Sequence, residues 1–137
     1  MSLVLDGSAA LAWCFEDEST TAIDAVMMQV AGEGAVVPAI WRLEVANGLQ
    51  SGIRRGRLTA SKRDGLLAAL AEMDIAADAE TDRYAWTTTV RLAERHSLTI
   101  YDASYVELAQ RLSFPLATLD AAMRNAGRAC GLALLGI

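Results

Sequence analysis

The chain has 137 residues, of which 53% are hydrophobic and 21% charged, and its formal net charge is −5. This composition excludes a disordered chain, and the acidic balance argues against nonspecific binding to nucleic acid. No apolar stretch approaches the about 18 residues of a membrane span, and the N-terminus shows no basic segment followed by an apolar run. We therefore expect one folded domain over residues 1–137, in the cytoplasm and without a membrane partner.

The first half of the chain alternates short apolar runs with helical patterns. In chain order we predict a strand at SLVL, helices at GSAALAWCF and STTAIDAVMMQVAGEG, a strand at AVVP, and helices at AIWRLEVANGLQSGIRR and TASKRDGLLAALAEM. Ser8 is a plausible N-cap of the first helix, and Thr20 or Thr21 opens the second. Pro38 ends the second strand.

The second half continues the alternation. We predict a weak strand at DIAAD, one helix at ETDRYAWTTTVRLAERHS, a helix that opens at Asp102 after the β-leaning run SLTIY, a strand at FPLATLD, a short helix at AAMRNAG, and a last strand at LALLGI. Short strands that alternate with helices predict an α/β fold in which helices cover both faces of a parallel sheet.

Four acidic residues fall at corresponding places in this pattern. Asp6 and Asp120 end predicted strands, Asp102 stands where a loop enters a helix, and Glu44 lies on the first turns of the helix after AVVP. Right-handed crossovers place the carboxyl ends of all parallel strands, and the helix N-termini that follow them, on one rim of the sheet. The sequence therefore predicts that these four carboxylates converge.

Each of these acids also has a purely structural explanation. Asp102 and Asp120 are good N-cap residues, and Asp6 before Gly7 suits a turn. Capping leaves unexplained why three different segments end on the same short acid. Two carboxylates 4 Å apart repel by about 4 kcal/mol at an effective dielectric constant near 20. A hard cation such as Mg²⁺ or Mn²⁺ turns that repulsion into binding and activates water to attack a phosphodiester.

The residues that other common enzyme mechanisms require are absent from this sequence. The single histidine, His96, excludes zinc sites with two or three His ligands, and no dinucleotide, P-loop or nucleophile-elbow motif is present. A phosphoaspartyl mechanism at Asp6 lacks a supporting lysine, because Lys62 is the only lysine. Cys14 and Cys130 stand far apart, which favours two reduced thiols over a disulfide or a metal site.

Basic residues concentrate in one segment, RRGRLTASKR. It contains five of the 12 basic side chains, namely Arg54, Arg55, Arg57, Lys62 and Arg63. Two interpretations remain open: a solvated turn between helices, or a patch that contacts RNA phosphates or a partner.

The segments LVLDGSAALAW, PAIWRLEVANGL, YDASYVELAQRLSFPLATLD and AGRACGLALL together resemble a PIN domain of the VapC toxin type. The resemblance covers almost the whole chain. It implies a three-layer α/β/α sandwich, an endoribonuclease that depends on Mg²⁺ or Mn²⁺, a homodimer, and silencing by a small VapB-like antitoxin. By position, it implies catalytic and metal-binding roles for the four acids (Asp6, Glu44, Asp102 and Asp120) and supporting roles for three polar residues (Ser8, Asn47 and Thr118).

The resulting hypothesis is an RNA endonuclease centred on one metal ion. Asp6 and Asp102 are expected to hold the ion, whereas Glu44 and Asp120 orient the attacking water. Ala122 and Met123 occupy positions where some PIN domains carry a further acid, which argues against a strong second metal site. Two alternatives remain: a catalytically silent PIN-like module that binds RNA or protein, and a metal-dependent phosphatase of small substrates.

Overall fold

A parallel β-sheet with helices on its faces makes up the structure, a computed structural model that describes residues 2–137. The five strands are β1 (Leu3–Leu5), β2 (Ala35–Val37), β3 (Ile75–Ala77), β4 (Leu116–Ala117) and β5 (Leu134–Leu135). The helices are α1 (Gly7–Cys14), α2 (Thr21–Glu33), α3 (Trp41–Arg54), α4 (Ala60–Glu72), α5 (Thr81–Ala85), α6 (Thr88–His96), α7 (Ile100–Leu112) and α8 (Ala121–Ala129), with a 3₁₀ turn at Glu16–Glu18.

The strand order β3-β2-β1-β4-β5 places β1 at the centre of the sheet, paired in parallel with β2 and β4. Successive side chains of β1 point to opposite faces, yet Leu3, Val4 and Leu5 are all 0% exposed. Helices therefore cover both faces, which confirms the predicted α/β class. The chain leaves β1 towards β2 and leaves β4 towards β5, so the crevice between β1 and β4 is the topological switch point of the sheet.

The helices pack closely where small residues allow it. A Cβ atom at Gly48 on α3 would collide with the Leu11 side chain of α1, so the glycine permits the close approach of these two helices. The same packing fixes the first turns of α3, which follow β2, beside the helix that follows β1. Gly34, with φ of +81°, ends α2 in a backbone conformation that suits glycine.

The single helix predicted at residues 80–97 is wrong. Two helices, α5 and α6, are separated at Trp86 and Thr87, and Thr87 has φ −119° and ψ −95°. The Thr87 hydroxyl donates to the Tyr84 carbonyl at 3.4 Å, which shows how a threonine side chain competes with the helical backbone.

Three further boundaries differ from the prediction. The prediction that Asp102 opens its helix is wrong, because α7 begins at Ile100 and Thr99 caps it by accepting from the Asp102 N–H at 3.0 Å. Ser8 is not an N-cap either, because it lies inside α1 after the cap residue Asp6. Strand β4 ends at Ala117, before Asp120.

Among residues 2–137, no helix is both long and apolar enough to cross a membrane.

Candidate active site

Asp6 lies at the carboxyl end of the central strand and is only 6% exposed. Its Oδ2 accepts hydrogen bonds from Ser8 Oγ at 2.6 Å and from Thr118 Oγ1 at 2.7 Å. Burial raises the pKa of Asp6, and the hydrogen bonds from Ser8, Thr118 and the local backbone oppose that rise. The carboxylate is therefore fixed in one orientation across the crevice between β1 and β4.

Glu44 sits on the first turns of α3, and its partner comes from α7. The Tyr105 side chain is 0% exposed, and its hydroxyl donates to Glu44 Oε1. Burial raises the pKa of Glu44, the Tyr105 hydrogen bond lowers it, and the charges of Asp6 and Asp102 raise it further. The hydrogen bond joins two elements that are 61 residues apart in the sequence and orients one oxygen of Glu44.

Asp102 and Asp120 occupy the N-terminal ends of α7 and α8, with different roles. The cap explanation is correct for Asp120, whose Oδ2 accepts from the Met123 N–H at 2.8 Å. Asp102 is the third residue of α7 and does not cap it. Burial and the charges of Asp120 and Asp6 raise the pKa of Asp102.

Together Asp6, Glu44, Asp102 and Asp120 form what we call the acidic rim. Asp6 and Asp120 each influence Asp102, and Asp102 and Asp6 both influence Glu44, so the carboxylates share one electrostatic environment. No lysine or arginine among residues 2–137 forms an ion pair with any of the four. The rim is thus a partly buried concentration of negative charge without a cation from the protein.

The donor set of the rim fits a hard divalent cation, because all four acids offer only oxygen atoms and like charges already raise the pKa of two of them. Within residues 2–137, however, no three or more His, Cys, Asp or Glu side chains lie together as a group that could hold a metal ion. An open carboxylate site of this kind suits Mg²⁺, which usually keeps several waters and takes one or two carboxylates directly.

Thr118 belongs to the same constellation, and Asn47 makes no such contact. Thr118 is 0% exposed, and its Oγ1 both donates to Asp6 and accepts from the Asp120 N–H at 3.1 Å. Ser8 Oγ accepts from the Leu119 N–H at 3.0 Å, which ties α1 to the segment after β4. Asn47 lies exposed, one turn after Glu44, and its side chain makes no hydrogen bond to residues 2–137.

Two residues that support the rim were missed by the sequence analysis. Tyr105 stands three positions after Asp102 on α7, and this helical spacing was the available signal for a shared face. Arg124 donates through Nη1 to the carbonyls of Thr118 and Leu135, at 2.8 and 2.9 Å, and so ties β5 to the segment that carries Thr118. Nothing in the local sequence marks that long-range contact.

The basic segment, residues 54–63, is largely neutralised by the protein itself. Arg57 pairs with Asp17 and Glu18 of the 3₁₀ turn, at 3.1 and 2.7 Å, and Lys62 pairs with Glu16 at 3.4 Å. Arg63 contacts Asp64 at 3.0 Å and Gln50 at 2.9 Å, whereas Arg54 and Arg55 are exposed and unpaired within residues 2–137. Of the five basic side chains, only these two remain available to a partner.

The two cysteines are free, as predicted; Cys14 is buried and Cys130 half-buried. Burial raises the pKa of the Cys14 thiol to about 11, so it is an unreactive core residue. The His96 ring is half-buried, and its Nε2 lies 3.6 Å from Cys130 Sγ.

Comparisons with known proteins identify the family. The PIN domain family model matches residues 3–129. Ribonuclease VapC3 of Pyrobaculum aerophilum is 32% identical over 120 residues, which cover 88% of this chain and 90% of that protein. Ribonuclease VapC9 of Mycobacterium tuberculosis is 34% identical over 132 residues, covering 93% and 92%.

A solved structure shows the same fold. The crystal structure of PAE2754 from Pyrobaculum aerophilum superposes with a TM-score of 0.71 at 21% identity, over 98% of this chain and 83% of that one. The match of the family model to nearly the whole chain, together with the extended similarity to VapC proteins, shows that this chain belongs to the PIN-domain family, in its VapC group.

Proposed function

We propose that the protein is an endoribonuclease that depends on Mg²⁺ or Mn²⁺ and acts as the toxin of a type II toxin–antitoxin pair. The observation that carries the proposal is the acidic rim, in which carboxylates from four separate segments interact electrostatically without a cation from the protein. Relatives named as ribonucleases over about nine-tenths of the chain support RNA as the substrate. Stability alone does not favour such a rim, because burial and like charge both oppose its ionisation.

The proposed role of each residue in the acidic rim follows from its contacts and its burial. Asp6 and Asp102 would hold the ion, partly through waters, and Ser8 and Thr118 keep the Asp6 carboxylate aimed at the crevice. The bound ion supplies charge neutralisation at the phosphoryl group and makes a water more acidic. Glu44 orients the attacking water through the oxygen that Tyr105 leaves free, and its raised pKa favours acceptance of a proton.

Two further residues complete the proposed site. Asp120 adds negative charge beside Asp102 while its Oδ2 caps α8, which fits recruitment of the ion better than direct proton transfer. Asn47 is exposed one turn from Glu44 and is free to contact a phosphate or a water at the edge of the crevice.

Asp102→Asn tests the assignment. The substitution keeps the shape of the side chain, and Thr99 still caps α7, so the fold remains intact while one charge leaves the rim. We expect cleavage of RNA in Mg²⁺ to fall by about 10²–10³-fold, as for the loss of one electrostatic contact to a transition state. The matched control is Asp64→Asn, an exposed acid on α4, which should cut at the wild-type rate. Equal rates for Asp102→Asn and wild type would refute the proposal.

The proposal includes a VapB-like antitoxin, a homodimer and a cytoplasmic location. An antitoxin segment with one basic side chain fits the uncompensated rim, and the apolar α1, with half-buried Trp13, offers a hydrophobic contact. Co-expression with the product of the neighbouring gene should relieve toxicity, and Trp13→Glu should weaken that relief. Analytical ultracentrifugation at two concentrations tests the dimer. Absence of any binding neighbour would remove the antitoxin from the proposal.

A further inference from the structure

A cavity of about 260 Å³ lies between the segment that enters α3, helices α5 and α6, and the first turns of α7. The residues that define its character are Ile40, Thr81, Asp82, Thr89, Tyr101 and Ser104. Tyr101 immediately precedes Asp102 on α7, and Ile40 is the N-cap residue of α3, four positions before Glu44. The cavity is therefore bordered by the two helices that carry these carboxylates, although no residue of the acidic rim lines it.

One buried hydroxyl of the cavity has no partner. Thr89 is 2% exposed, and its side chain makes no hydrogen bond within residues 2–137. The Thr81 and Ser104 hydroxyls are engaged: Thr81 Oγ1 donates to the Asp78 carbonyl at 3.2 Å and accepts from the Ala39 N–H at 3.0 Å, and Ser104 Oγ donates to the Tyr101 carbonyl at 2.5 Å. A buried hydroxyl that lines a cavity without a partner is a position where a ligand regains a lost hydrogen bond.

The remaining walls suit a flat, polar-edged ring. Tyr101 is 59% exposed and offers an aromatic face, and Ile40 supplies an apolar surface. Asp82 is an exposed acid that forms no ion pair with residues 2–137, so its carboxylate is free to accept hydrogen bonds. The cavity is smaller than the about 300–1,000 Å³ of sites for drug-sized ligands, which matches a single heterocyclic base.

We propose that this cavity binds one unstacked guanine base of the RNA substrate, next to the phosphodiester that is cut. Single-stranded RNA is read by bases that stack on aromatic side chains and hydrogen-bond through their Watson–Crick edges. Guanine alone carries two adjacent N–H donors on that edge, which match the two oxygens of one carboxylate, here Asp82. Thr89 then hydrogen-bonds the inner edge of the base, and Tyr101 stacks on its face. This inference rests on the proposed ribonuclease function and names what selects the cleavage position.

Binding without cleavage tests the subsite directly. Four tetranucleotides of sequence UUNU, with N equal to A, C, G or U, are titrated against the full-length protein in EDTA, with fluorescence anisotropy as the readout. We expect the guanine oligonucleotide to bind about tenfold more tightly than the other three, the discrimination of one bidentate base contact. Asp82→Asn and Thr89→Val should each reduce that preference to less than about threefold, while affinity for UUUU stays unchanged.

Matched variants separate recognition from folding. Thr88→Val changes the adjacent, exposed threonine, which does not line the cavity, and should keep the preference of wild type. Tyr101→Phe retains a stacking surface and should bind like wild type, whereas Tyr101→Ala should lose about tenfold in affinity for the guanine oligonucleotide. Thr89→Val keeps the shape of the side chain and removes the unpaired buried hydroxyl, so its melting temperature should equal or exceed that of wild type.

The outcomes also separate this inference from the proposed function. Equal binding of the four oligonucleotides, or a guanine preference that survives both Asp82→Asn and Thr89→Val, would overturn the subsite. A homodimer that buries Tyr101, detected by cross-linking in EDTA, would overturn it as well. RNA cleavage in Mg²⁺ without any base preference would leave the ribonuclease standing and remove the subsite. Selective guanine binding without cleavage would retain the subsite and refute the nuclease.

Discussion

Two groups of buried and half-buried carboxylates in this molecule have opposite electrostatic surroundings. Asp78 and Glu107 face Arg111, whose guanidinium lies 2.6 Å from Asp78 Oδ2 and 2.7 Å from Glu107 Oε1 and stacks 4.6 Å from the centre of the Tyr84 ring. Burial opposes ionisation of Asp78, but the hydrogen bonds and charge of Arg111 lower its pKa overall. The acidic rim has no such arginine, and the pKa values of Asp6, Glu44 and Asp102 are raised.

The contrast shows how the same residue type serves stability in one place and function in another. In the Arg111 cluster (Asp78, Glu107 and Arg111), the arginine of the protein itself pairs with the two carboxylates, so no external cation is needed. The cluster also links the segment after β3 to α7. The rim leaves its charges uncompensated, so binding of an external cation relieves repulsion there. Changes in the two clusters should therefore affect stability in opposite directions.

The largest effect is expected at the completed cluster. Arg111→Met leaves Asp78 and Glu107 facing each other at low exposure without a cation, and removal of one partner from a buried pair costs about 3–5 kcal/mol. For a domain of this size, that loss lowers the melting temperature by roughly 10–20 °C. Arg83→Met, which breaks the exposed pair with Glu80, is the control and should cost less than about 1 kcal/mol. Similar melting curves for the two variants would contradict the contrast.

A smaller effect of opposite sign is expected at the rim. In EDTA at neutral pH, Asp102→Asn should raise the melting temperature by about 3–5 °C, because relief of roughly 1 kcal/mol of repulsion stabilises the metal-free protein. Addition of Mg²⁺ should stabilise wild type more than the variant, by about 1.4–2.7 kcal/mol at 10 to 100 times the dissociation constant. Calorimetry in EDTA and in Mg²⁺ measures both. A variant that melts below wild type in EDTA would show that Asp102 is structural.

The gain in stability of the metal-free Asp102→Asn variant over wild type should depend on pH. The folded protein holds the pKa of Asp102 above its ordinary value of 3.8, so the acid contributes stability when it is protonated and loses that contribution as the pH rises through the raised pKa. The variant should therefore exceed wild type in EDTA by the full amount above the raised pKa, and the difference should vanish as the pH falls towards 3.8. Chemical denaturation of both proteins across this range tests it. A stability difference between the two proteins that grows as the pH falls would contradict this prediction.

The smallest effect concerns the basic segment. Arg55 is exposed and unpaired within residues 2–137, whereas Lys62 already contacts Glu16. Arg55→Gln should weaken RNA binding slightly and reduce the slope of log affinity against log salt by about 0.7, the value for one phosphate contact with a single strand. Lys62→Gln should leave that slope unchanged. Equal slopes for both variants and wild type would exclude this segment from the RNA surface.

The amino-acid sequence by itself determined the class of fold and the positions of the acids. Short apolar runs such as LVL and AVV predicted strands buried on both faces, and their alternation with helices predicted a parallel sheet, because each such strand needs apolar cover on both faces. The expectation that Asp6 and Asp102 stand at strand ends and helix starts followed from the same pattern. Local propensity predicted the helix boundaries less accurately, since Thr87 separates α5 from α6, and Thr99, not Asp102, caps α7.

Only the tertiary structure decided which charges are compensated. Arg57 reaches Asp17 across 40 residues, and Tyr105 reaches Glu44 across 61, and no local pattern encodes such pairings. The sequence left open whether the basic segment is a solvated turn or a contact patch, and in the structure it is mostly paired, whereas the acidic rim stays uncompensated. The physical reason is that periodicity fixes which face a side chain lies on, while its charge state and partners depend on burial and on neighbours from distant segments.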